Sequence, residues 1–424
     1  MRPEAKLPEA TRHGAAPLPL PYARQHIDEH DIEAVISVLR SDWLTTGPAV
    51  DRFEDALAQR CSARHAVSCS SGTAALHLAC LALGLGPDDA AIVPAVTFLA
   101  TANAVRMTGA EVIFADVDPD NGLLTPATLD AAYARAAAQG RTVKAVLPVH
   151  LAGQCADLRE IARIAEIEGS TLIEDACHAI GTYHACPDGS AVPVGSCRLS
   201  AMTVFSFHPV KTVACGEGGA VTTNDPALAR RIRRLRSHGM THDPAEFSDR
   251  SLAFGPGGAN PWYYEMPEIG WNYRLSDLHA ALAWSQLGRL DRFVEQRREL
   301  AQRYDDCLAE FDGLAVPIRH ARGCLPAWHL YCVLIDFARL DLDRAQLMTE
   351  LRGAGIGTQV HYIPVHRQPY YRRRYDTPRL PGADDYYRRT LSLPLFTGMT
   401  GSDVKRVAET LHAGLRRGVR RTGS

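Results

Sequence analysis

The chain has 424 residues, of which 46% are hydrophobic and 22% are charged, with 46 Lys and Arg against 48 Asp and Glu. This length suits a large domain with a smaller one. The formal charge of −2 excludes a general attraction to nucleic acid or an anionic membrane, so local groups must hold any anionic substrate.

The cysteine content and the hydropathy pattern indicate the cellular compartment of the protein. The 11 cysteines include no CxxC pair, and the N-terminus has no secretory leader. No apolar run approaches the ~20 residues that cross a bilayer. We therefore expect reduced thiols, a cytoplasmic protein and no membrane partner.

The N-terminal region changes character after a short tail. Residues 1–19 are rich in Pro, Ala and charge without periodicity, which predicts a flexible tail. Apolar residues then recur at helical spacing from Ile32 to Leu39, with Asp28 as the expected N-cap and a helix end near Ser41. The turn-rich segment LTTGP at 44–48 follows, and its hydroxyls either cap the next helix or line a site.

Strand-like and helix-like segments alternate from Ala66 to about Asp225. The strand-like segments are AIVPAVTF, EVIFADVD, VKAVLPV, TLIEDA, MTVFSF and GAVTTN. This alternation predicts an α/β fold with a mostly parallel sheet flanked by helices. A long helical pattern after Ser276 is suited to bridging two domains, so we expect a large domain at 20–285 and a small C-terminal α/β domain at 286–424.

The stretch VFSFHPVKTVACGEGG at 204–219 predicts a buried strand, a polar turn with one lysine and a glycine-rich exit. In α/β folds the catalytic and binding residues usually lie at such strand ends. A lysine in apolar surroundings loses hydration as a cation, so its pKa falls and its neutral amine can attack a carbonyl. Lys211 is therefore a candidate nucleophile, and a solvated loop lysine is the alternative.

The segment SSGTAAL at 70–76 joins a strand ending near Cys69 to a helix beginning near Thr73. Free N–H groups and the helix dipole at such a junction bind phosphate, and Gly72 lets the backbone come close. Thr73 and Ser206 each add a hydroxyl. A simple helix cap is the alternative interpretation.

The segment TLIEDACHAIG at 171–181 ends a buried strand in two carboxylates. Asp175 would be costly to desolvate without a cation or donors, and a protonated heteroaromatic nitrogen is one such partner. His178 could bond another ring substituent, and Phe98, just past a strand end, could stack on a planar ligand. The alternatives are a helix cap, a core histidine and a core phenylalanine.

Taken together, these residues offer a phosphate cradle, a carboxylate for a pyridine nitrogen, an aromatic for a ring face and a lysine for an aldehyde. Pyridoxal 5'-phosphate (PLP) demands these contacts. The succession of the motifs along the chain, each at a strand end, favours a single PLP site.

Longer motifs make the chain similar to the DegT/StrS family of PLP-dependent nucleotide-sugar aminotransferases, which have the aspartate aminotransferase type fold (fold type I). These motifs are LTTGP, VPAVTFLATAN, EDACHA, VFSFHPVKT, GEGGAVTTND, RSHGMT, WYYEMPEIGWNYRLSD, HLY and VHYIPVH. Within the family the chain most resembles the pseudaminic acid branch. That branch aminates C4 of a UDP-linked 4-keto-6-deoxy-N-acetylhexosamine to give the 4-amino-4,6-dideoxy-N-acetyl-β-L-altrosamine.

The resemblance implies a role for each matching residue. Lys211 would form the Schiff base with PLP, and Asp175 would bind the pyridine nitrogen. His178 would lie near the ring oxygen and Phe98 on the ring face. The phosphate would be bound by Gly72, Thr73 and Ser206, and by Asn272 from the other subunit, which implies a homodimer with shared active sites. The sugar-nucleotide contacts implied are Tyr22, Trp43, Leu44, Thr45, Thr46, His329, Leu330 and Tyr331.

The resemblance also implies the reaction, with L-glutamate as the amino donor and the UDP-linked keto sugar as the acceptor. The dehydratase branch of the family replaces the Schiff-base lysine with His, whereas this chain has Lys211. Segments 185–193 and 255–260 depart from the expected short forms, and both could reshape the sugar pocket.

Other functions remain as alternatives. A relative acting on a dTDP-linked or aminocyclitol keto sugar would share every cofactor motif, and a non-catalytic PLP-binding regulator would share the fold. The arginine-rich segment 230–239 favours a solvated helix face over a nucleic-acid surface, because Ile232 and Leu235 interrupt the charge. His361, His366 and the cysteines lack metal-ligand spacing, so no metal is expected.

Overall fold

The structure is a computed structural model that describes residues 18–185, 190–311, 313–376 and 379–419. The tail predicted at 1–19 therefore lies outside the described residues except for Leu18 and Pro19. The same holds for residues 186–189 of the 185–193 segment.

Helices and strands alternate along most of the chain. The helices are α1 Glu29–Leu39, α2 Pro48–Cys61, α3 Gly72–Ala82, α4 Leu99–Met107, α5 Pro126–Ala138, α6 Leu158–Ile167, α7 Pro226–Arg236, α8 Arg250–Ala253, α9 Asp277–Leu287, α10 Leu290–Leu308, α11 Arg344–Gly353, α12 Pro369–Arg374, α13 Pro381–Arg389 and α14 Gly401–Gly418. The strands are β1 His65–Cys69, β2 Ala90–Pro94, β3 Glu111–Ala115, β4 Val143–Val146, β5 Thr171–Asp175, β6 Tyr183–Ala185, β7 Ala191–Pro193, β8 Met202–Ser206, β9 Gly219–Thr223, β10 Phe254–Gly255, β11 Gly258–Ala259, β12 Ala315–Pro317, β13 Cys324–Leu325, β14 Tyr331–Ile335 and β15 Thr390–Leu393.

The central sheet of the described residues has the strand order β1-β9-β8-β5-β4-β2-β3. Neighbours from β8 to β3 are parallel, whereas β9 runs antiparallel to both β1 and β8. β2, β8 and β9 are buried along their whole length, as expected for strands covered by helices on both faces. The predicted mostly parallel mixed sheet flanked by helices is confirmed.

The C-terminal part forms a smaller lobe around the antiparallel sheet β12-β14-β15. The predicted long bridging helix is instead two helices, because α9 ends at Leu287 and Gly288 and Arg289 separate it from α10. The N-terminal segment also joins this lobe, since the amides of Leu20 and Gly357 bond to the carbonyls of Gly355 and Leu20 at 2.8 and 2.7 Å. The small lobe therefore includes chain that precedes the large sheet.

The first helix begins as its sequence predicts. Asp28 caps α1 by accepting hydrogen bonds from the amides of His30 and Asp31, and the side chain of Asp31 accepts the Asp28 amide in return. Two apolar residues of the expected helix face, Ile32 and Leu39, are nevertheless exposed.

Several arginines of α7 pair with carboxylates. Arg234 and Arg231 lie 2.5 and 3.2 Å from Glu268, and Arg236 lies 2.6 Å from Glu54. These pairs attach the helix to neighbouring segments. The side chain of Arg231 keeps 39% of its surface in solvent and Arg230 is exposed, so the expected solvated face is reduced by these pairs and not abolished.

None of the described helices combines the length and apolar character needed to cross a bilayer.

Candidate active site

A cavity of about 570 Å³ opens where the central strands end and the small lobe begins. One side, the sheet wall, consists of Gly72, Thr73, Asp175, Ser206 and Lys211. The lining residues that follow β5 or come from the small lobe and its neighbouring connections, here called the loop wall, are Tyr22, His178, His329, Gln359, His361 and Tyr362. Residues separated by hundreds of positions in the sequence thus share one cavity.

Lys211 lies in the connection between β8 and β9. The Phe207 amide bonds to the Gly218 carbonyl at 2.8 Å, which closes the base of this connection, and the Lys211 amide bonds to the His208 carbonyl at 2.8 Å. Burial lowers the pKa of the Lys211 ammonium, whereas Cys177 and Asp175 act in the opposite direction. The burial therefore favours a neutral, nucleophilic amine.

Asp175 ends β5 and is buried at the cavity. Its carboxylate accepts the Thr101 hydroxyl at 2.7 Å and the Cys177 amide at 3.2 Å. Thr101 in turn lies 2.7 Å from the Thr97 hydroxyl. This network orients a buried carboxylate towards the cavity and leaves lone pairs for one more donor.

The side chain of the neighbouring Glu174 lies on the opposite face of the sheet, because successive strand residues point to opposite sides. It lies 2.9 Å from Nε2 of His150 and accepts the Ser200 and Thr203 hydroxyls at 2.5 and 3.0 Å. The His150 contact is the chief interaction that lowers the pKa of Glu174 against the effect of burial. Of these two adjacent acidic residues, Asp175 therefore lines the cavity and Glu174 has a structural role.

A narrow cradle forms where α3 begins. A Cβ atom on Gly72 would lie 2.7 Å from Cβ of Ser206, and one on Gly219 would lie 2.3 Å from the Ser71 carbonyl oxygen. Glycine at both positions lets the starts of α3 and β9 approach the end of β8. The Gly72 and Thr73 amides belong to the first helical turn, where the helix supplies no acceptor, so they can bind an anion with the Ser206 hydroxyl.

The loop wall contains neutral imidazoles. Burial, followed by nearby positive groups, lowers the pKa of His178 and His329 well below the usual range and that of His361 to about 3. The His178 and His329 rings are 4.4 Å apart, and Nδ1 of His329 is buried without a hydrogen-bond partner in the described structure.

A buried arginine supports this wall. Arg297 of α10 donates through one nitrogen to the carbonyls of Trp328, His329 and Leu395 at 3.3, 3.3 and 3.0 Å. Burial lowers the pKa of its guanidinium to about 10. Arg297 thereby connects the backbone of the His329 loop to the small lobe.

The structure brings most of the predicted cofactor residues together. Gly72, Thr73, Phe98, Asp175, His178, Ser206 and Lys211 all line the cavity. Phe98 is 56% exposed, and the centroid of its ring lies 6.0 Å from that of the Tyr362 ring. It is therefore not a core residue. Both His178 ring nitrogens have partners within the chain, the Ala152 amide at 3.3 Å and the Tyr362 hydroxyl at 3.1 Å.

The predicted sugar contacts divide into three groups. Tyr22 and His329 line the cavity. Leu330 and Tyr331 are instead buried in the small lobe, where the Tyr331 hydroxyl donates to Asp305 at 2.6 Å. These two side chains do not line the cavity, because both are buried in the packed core of the small lobe.

The remaining predicted residues lie outside the cavity of this chain. Trp43, Leu44, Thr45 and Thr46 are exposed, and Asn272 is exposed as well. The two segments are close to each other, since Thr45 bridges to Ser276 and the Asp277 amide bonds to the Leu44 carbonyl at 3.0 Å. These contacts place segment 43–46 beside the start of α9, a few residues after Asn272.

Several residues of the site were missed from the sequence. Thr101 lies outside the cavity lining but donates to Asp175, and its spacing of four residues from Thr97 is a signal for the contact between the two hydroxyls. His361 and Tyr362 belong to the motif VHYIPVH, but the sequence alone does not indicate which of its rings enter the cavity.

The arrangement fits PLP. The glycine-lined cradle can take a phosphate, the buried Asp175 can accept a pyridinium N–H, and Lys211, whose pKa is lowered by burial, brings an amine to the same cavity. Among the described residues no group of His, Cys, Asp and Glu side chains is arranged to hold a metal ion.

Comparisons with known proteins identify relatives. The model of the DegT/DnrJ/EryC1/StrS aminotransferase family matches residues 25–412. The spore coat polysaccharide biosynthesis protein SpsC of Bacillus subtilis (strain 168) is 40% identical over 396 residues, which cover 92% of this chain and 96% of SpsC.

Solved structures give the same result. The PLP form of the putative sugar aminotransferase Spr1654 from Streptococcus pneumoniae superposes with a TM-score of 0.82 at 26% identity, covering 94% of this chain and 99% of that one. Helicobacter pylori PseC, an aminotransferase involved in the biosynthesis of pseudoaminic acid, gives 0.82 at 26% identity, covering 94% and 100%. The chain therefore belongs to the DegT/DnrJ/EryC1/StrS aminotransferase family and is a PLP-dependent sugar aminotransferase with the fold type I architecture.

Proposed function

We propose that this enzyme transfers an amino group from L-glutamate to the C4 keto group of a UDP-linked 4-keto-6-deoxy-N-acetylhexosamine, in the biosynthesis of pseudaminic acid or a similar surface sugar. The observation that carries the reaction type is the shared cavity of Lys211 and Asp175. The similarity to PseC and SpsC, whose names refer to pseudoaminic acid and a spore coat polysaccharide, supports the sugar class.

Lys211 would act twice in this reaction. Its Nζ would hold the cofactor covalently, and the free amine, once displaced by the donor, would move the proton from the donor's α-carbon to the carbon of the cofactor that had carried the aldehyde. Asp175, which accepts the Thr101 hydroxyl, would keep the ring nitrogen protonated. Bound PLP supplies an electron sink for the charge that develops on that carbon.

The loop wall would bind the acceptor sugar. Tyr22, His329 and Gln359 bring a hydroxyl, an imidazole and an amide to the cavity opposite Lys211. The described histidines of this wall are neutral, so they suit the hydroxyl and carbonyl groups of a sugar rather than its phosphates.

A substrate panel tests this function. Purified enzyme is incubated with L-glutamate and, separately, with UDP- and dTDP-linked 4-keto sugars and a keto cyclitol, and the products are analysed by mass spectrometry. We expect a mass change of ketone to amine with the UDP-linked N-acetylated sugar. Preference for a dTDP-linked sugar or a cyclitol would overturn the substrate, and no reaction with any keto compound would favour a PLP-binding regulator.

We also propose a homodimer with shared active sites, working in the cytoplasm. Exposed apolar side chains support the assembly, with Ile269 and Trp262 exposed by 76% and 74% close to Asn272 in the sequence, and with Trp43 and Trp284 around another surface cavity. The described cysteines are free thiols, which agrees with a reducing compartment.

Complementation tests the shared site. Lys211→Ala and Asn272→Asp each damage a different part of a site, the second by placing a carboxylate beside the expected phosphate. If Asn272 acts in the partner, co-expressed variants form mixed dimers with one intact site, and about a quarter of wild-type activity returns. If it acts in its own chain, both sites of the mixed dimer are damaged and activity stays at the level of the single variants.

A further inference from the structure

The phenol of Tyr362 ends a chain of hydrogen bonds at the edge of the cavity. The Ala152 amide nitrogen lies 3.3 Å from Nδ1 of His178, and Nε2 of the same ring lies 3.1 Å from the Tyr362 hydroxyl. His178 and Tyr362 line the same cavity as Lys211 and Asp175.

The direction of this chain follows from its first donor. A backbone N–H can only donate, so Nδ1 of His178 is an acceptor and carries no proton. Burial, with help from the charges of Lys211 and His361, keeps the pKa of His178 well below its usual range, so the ring is neutral. A neutral imidazole with a bare Nδ1 carries its proton on Nε2. His178 therefore donates to the oxygen of Tyr362.

Tyr362 then has its own proton left to donate. Burial, followed by the charge of Asp175, raises the pKa of this phenol well above its usual range, so the proton stays on the oxygen. The surroundings fix the ring, since Phe98 and His361 lie 6.0 and 4.8 Å away between ring centroids. The result is a hydroxyl donor held at the cavity by a neutral imidazole.

We propose that Tyr362 donates a hydrogen bond to an oxygen of the bound ligand and that His178 fixes the direction of this donor. The resemblance had implied that His178 itself lies near the ring oxygen of PLP, but both of its nitrogens are already occupied. The acceptor is an anionic or carbonyl oxygen, which PLP offers at its ring oxygen and a keto sugar at its carbonyl.

Tyr362→Phe removes the donor and keeps the ring. Its matched control is Tyr371→Phe, which removes a buried phenol that donates to Asn103 at 2.9 Å away from the cavity lining. Both variants are first compared by thermal unfolding and PLP content, so that a folding defect is separated from a change in the site.

Two measurements identify the acceptor. If it is the PLP ring oxygen, Tyr362→Phe raises the pH midpoint of the cofactor's visible band by about one unit, because the lost bond stabilises the deprotonated form. If it is the sugar carbonyl, the midpoint is unchanged and kcat/KM for the keto sugar falls about tenfold, while the reaction with the amino donor keeps its rate. A Tyr362→Phe enzyme equal to the Tyr371→Phe control in both measurements would overturn the proposal.

The tautomer is tested without turnover. In ¹⁵N-histidine-labelled holoenzyme, the signals that vanish in His178→Gln identify this ring. We expect a neutral imidazole protonated at Nε2 throughout the neutral pH range. A ring protonated at Nδ1, or at both nitrogens, would reverse the donor direction and refute the proposal.

Discussion

The sheet wall and the loop wall of the cavity are held by different forces. Asp175 and Ser206 end neighbouring strands that are paired through β5 and β8, so their positions follow from the backbone ladder. His329 and Tyr362 lie in connections far apart in the sequence, where isolated backbone bonds such as that of the His329 amide to the Ala152 carbonyl are supplemented by side-chain contacts from Arg297 and His178.

This difference separates two properties of the enzyme. A ladder of backbone bonds depends little on which side chains it carries, so the cofactor chemistry has a rigid frame. Contacts between loops depend on individual side chains and change with single substitutions. We therefore expect sheet-wall variants to alter the cofactor and loop-wall variants to alter the use of the sugar.

The largest effect is expected from Lys211→Ala in the sheet wall. The variant loses the covalent link to PLP and the proton carrier, and general acid–base help alone is worth about 10²–10⁴-fold in rate. Absorbance of the purified protein and turnover with keto sugar measure both losses. The control is Lys144→Ala, whose amine pairs with Asp89 at 3.1 Å outside the cavity. Near wild-type turnover by the Lys211 variant would remove this lysine from the mechanism.

We expect that lowering the pH reduces the local stability of the loop wall before it reduces that of the sheet wall. His178, His329 and His361 have pKa values lowered by burial in the folded protein, so the unfolded chain binds protons that the folded chain does not. Their contribution to stability is present above a pH of about 6.5 and decreases as the pH falls below it, by on the order of 1 kcal/mol per histidine for each pH unit.

Hydrogen exchange of intact holoenzyme at pH 7 and at about pH 5.5 measures this effect. After correction for the slower intrinsic exchange at the lower pH, we expect the protection factors to fall in segments 327–331 and 359–363 and to persist in segments 171–175 and 202–206. An equal loss of protection in both walls would show that the loop wall is not the more acid-sensitive one.

The sequence indicates the sheet wall better than the loop wall, for a physical reason. Strand-end motifs such as those around Asp175 and Lys211 combine a local apolar run with a polar residue, so their location can be read from adjacent positions. Tyr331 lies in the motif HLY beside the cavity residue His329, but its side chain is buried in the small lobe, where its hydroxyl donates to Asp305. Tyr362 enters the cavity only because tertiary contacts place its segment there, and no local pattern records such contacts.

Arg297→Met tests whether the loop wall depends on its support. The variant removes the donor to three backbone carbonyls, and hydrogen bonds to a charged group are worth about 1.5–3 kcal/mol. We expect the free energy of unfolding to fall by about 2–3 kcal/mol, and KM for the keto sugar to rise while the visible band of the cofactor persists.

The neighbouring Arg298→Met is the control, since Arg298 is less buried and donates to the carbonyls of Pro326 and Leu325 outside the cavity. Denaturant unfolding and steady-state kinetics measure the two effects. Loss of the cofactor band in the Arg297 variant would contradict the separation of the two walls.

The smallest expected effect lies in the phosphate cradle. In Gly72→Ala the new Cβ would approach Ser206 to 2.7 Å from its Cβ and 3.0 Å from its hydroxyl oxygen, so the Ser206 side chain or the start of α3 must shift. A displaced donor loses about 1–1.5 kcal/mol, which corresponds to about a tenfold weaker affinity for PLP. Gly353→Ala in α11 is the control, because its Cβ would meet no atom within 4 Å. PLP titration of the apoenzyme, followed by absorbance, compares the two variants. If Gly72→Ala bound PLP as tightly as the control, the phosphate would have to bind elsewhere, because the crowding at Ser206 cannot leave a contact at this cradle unchanged.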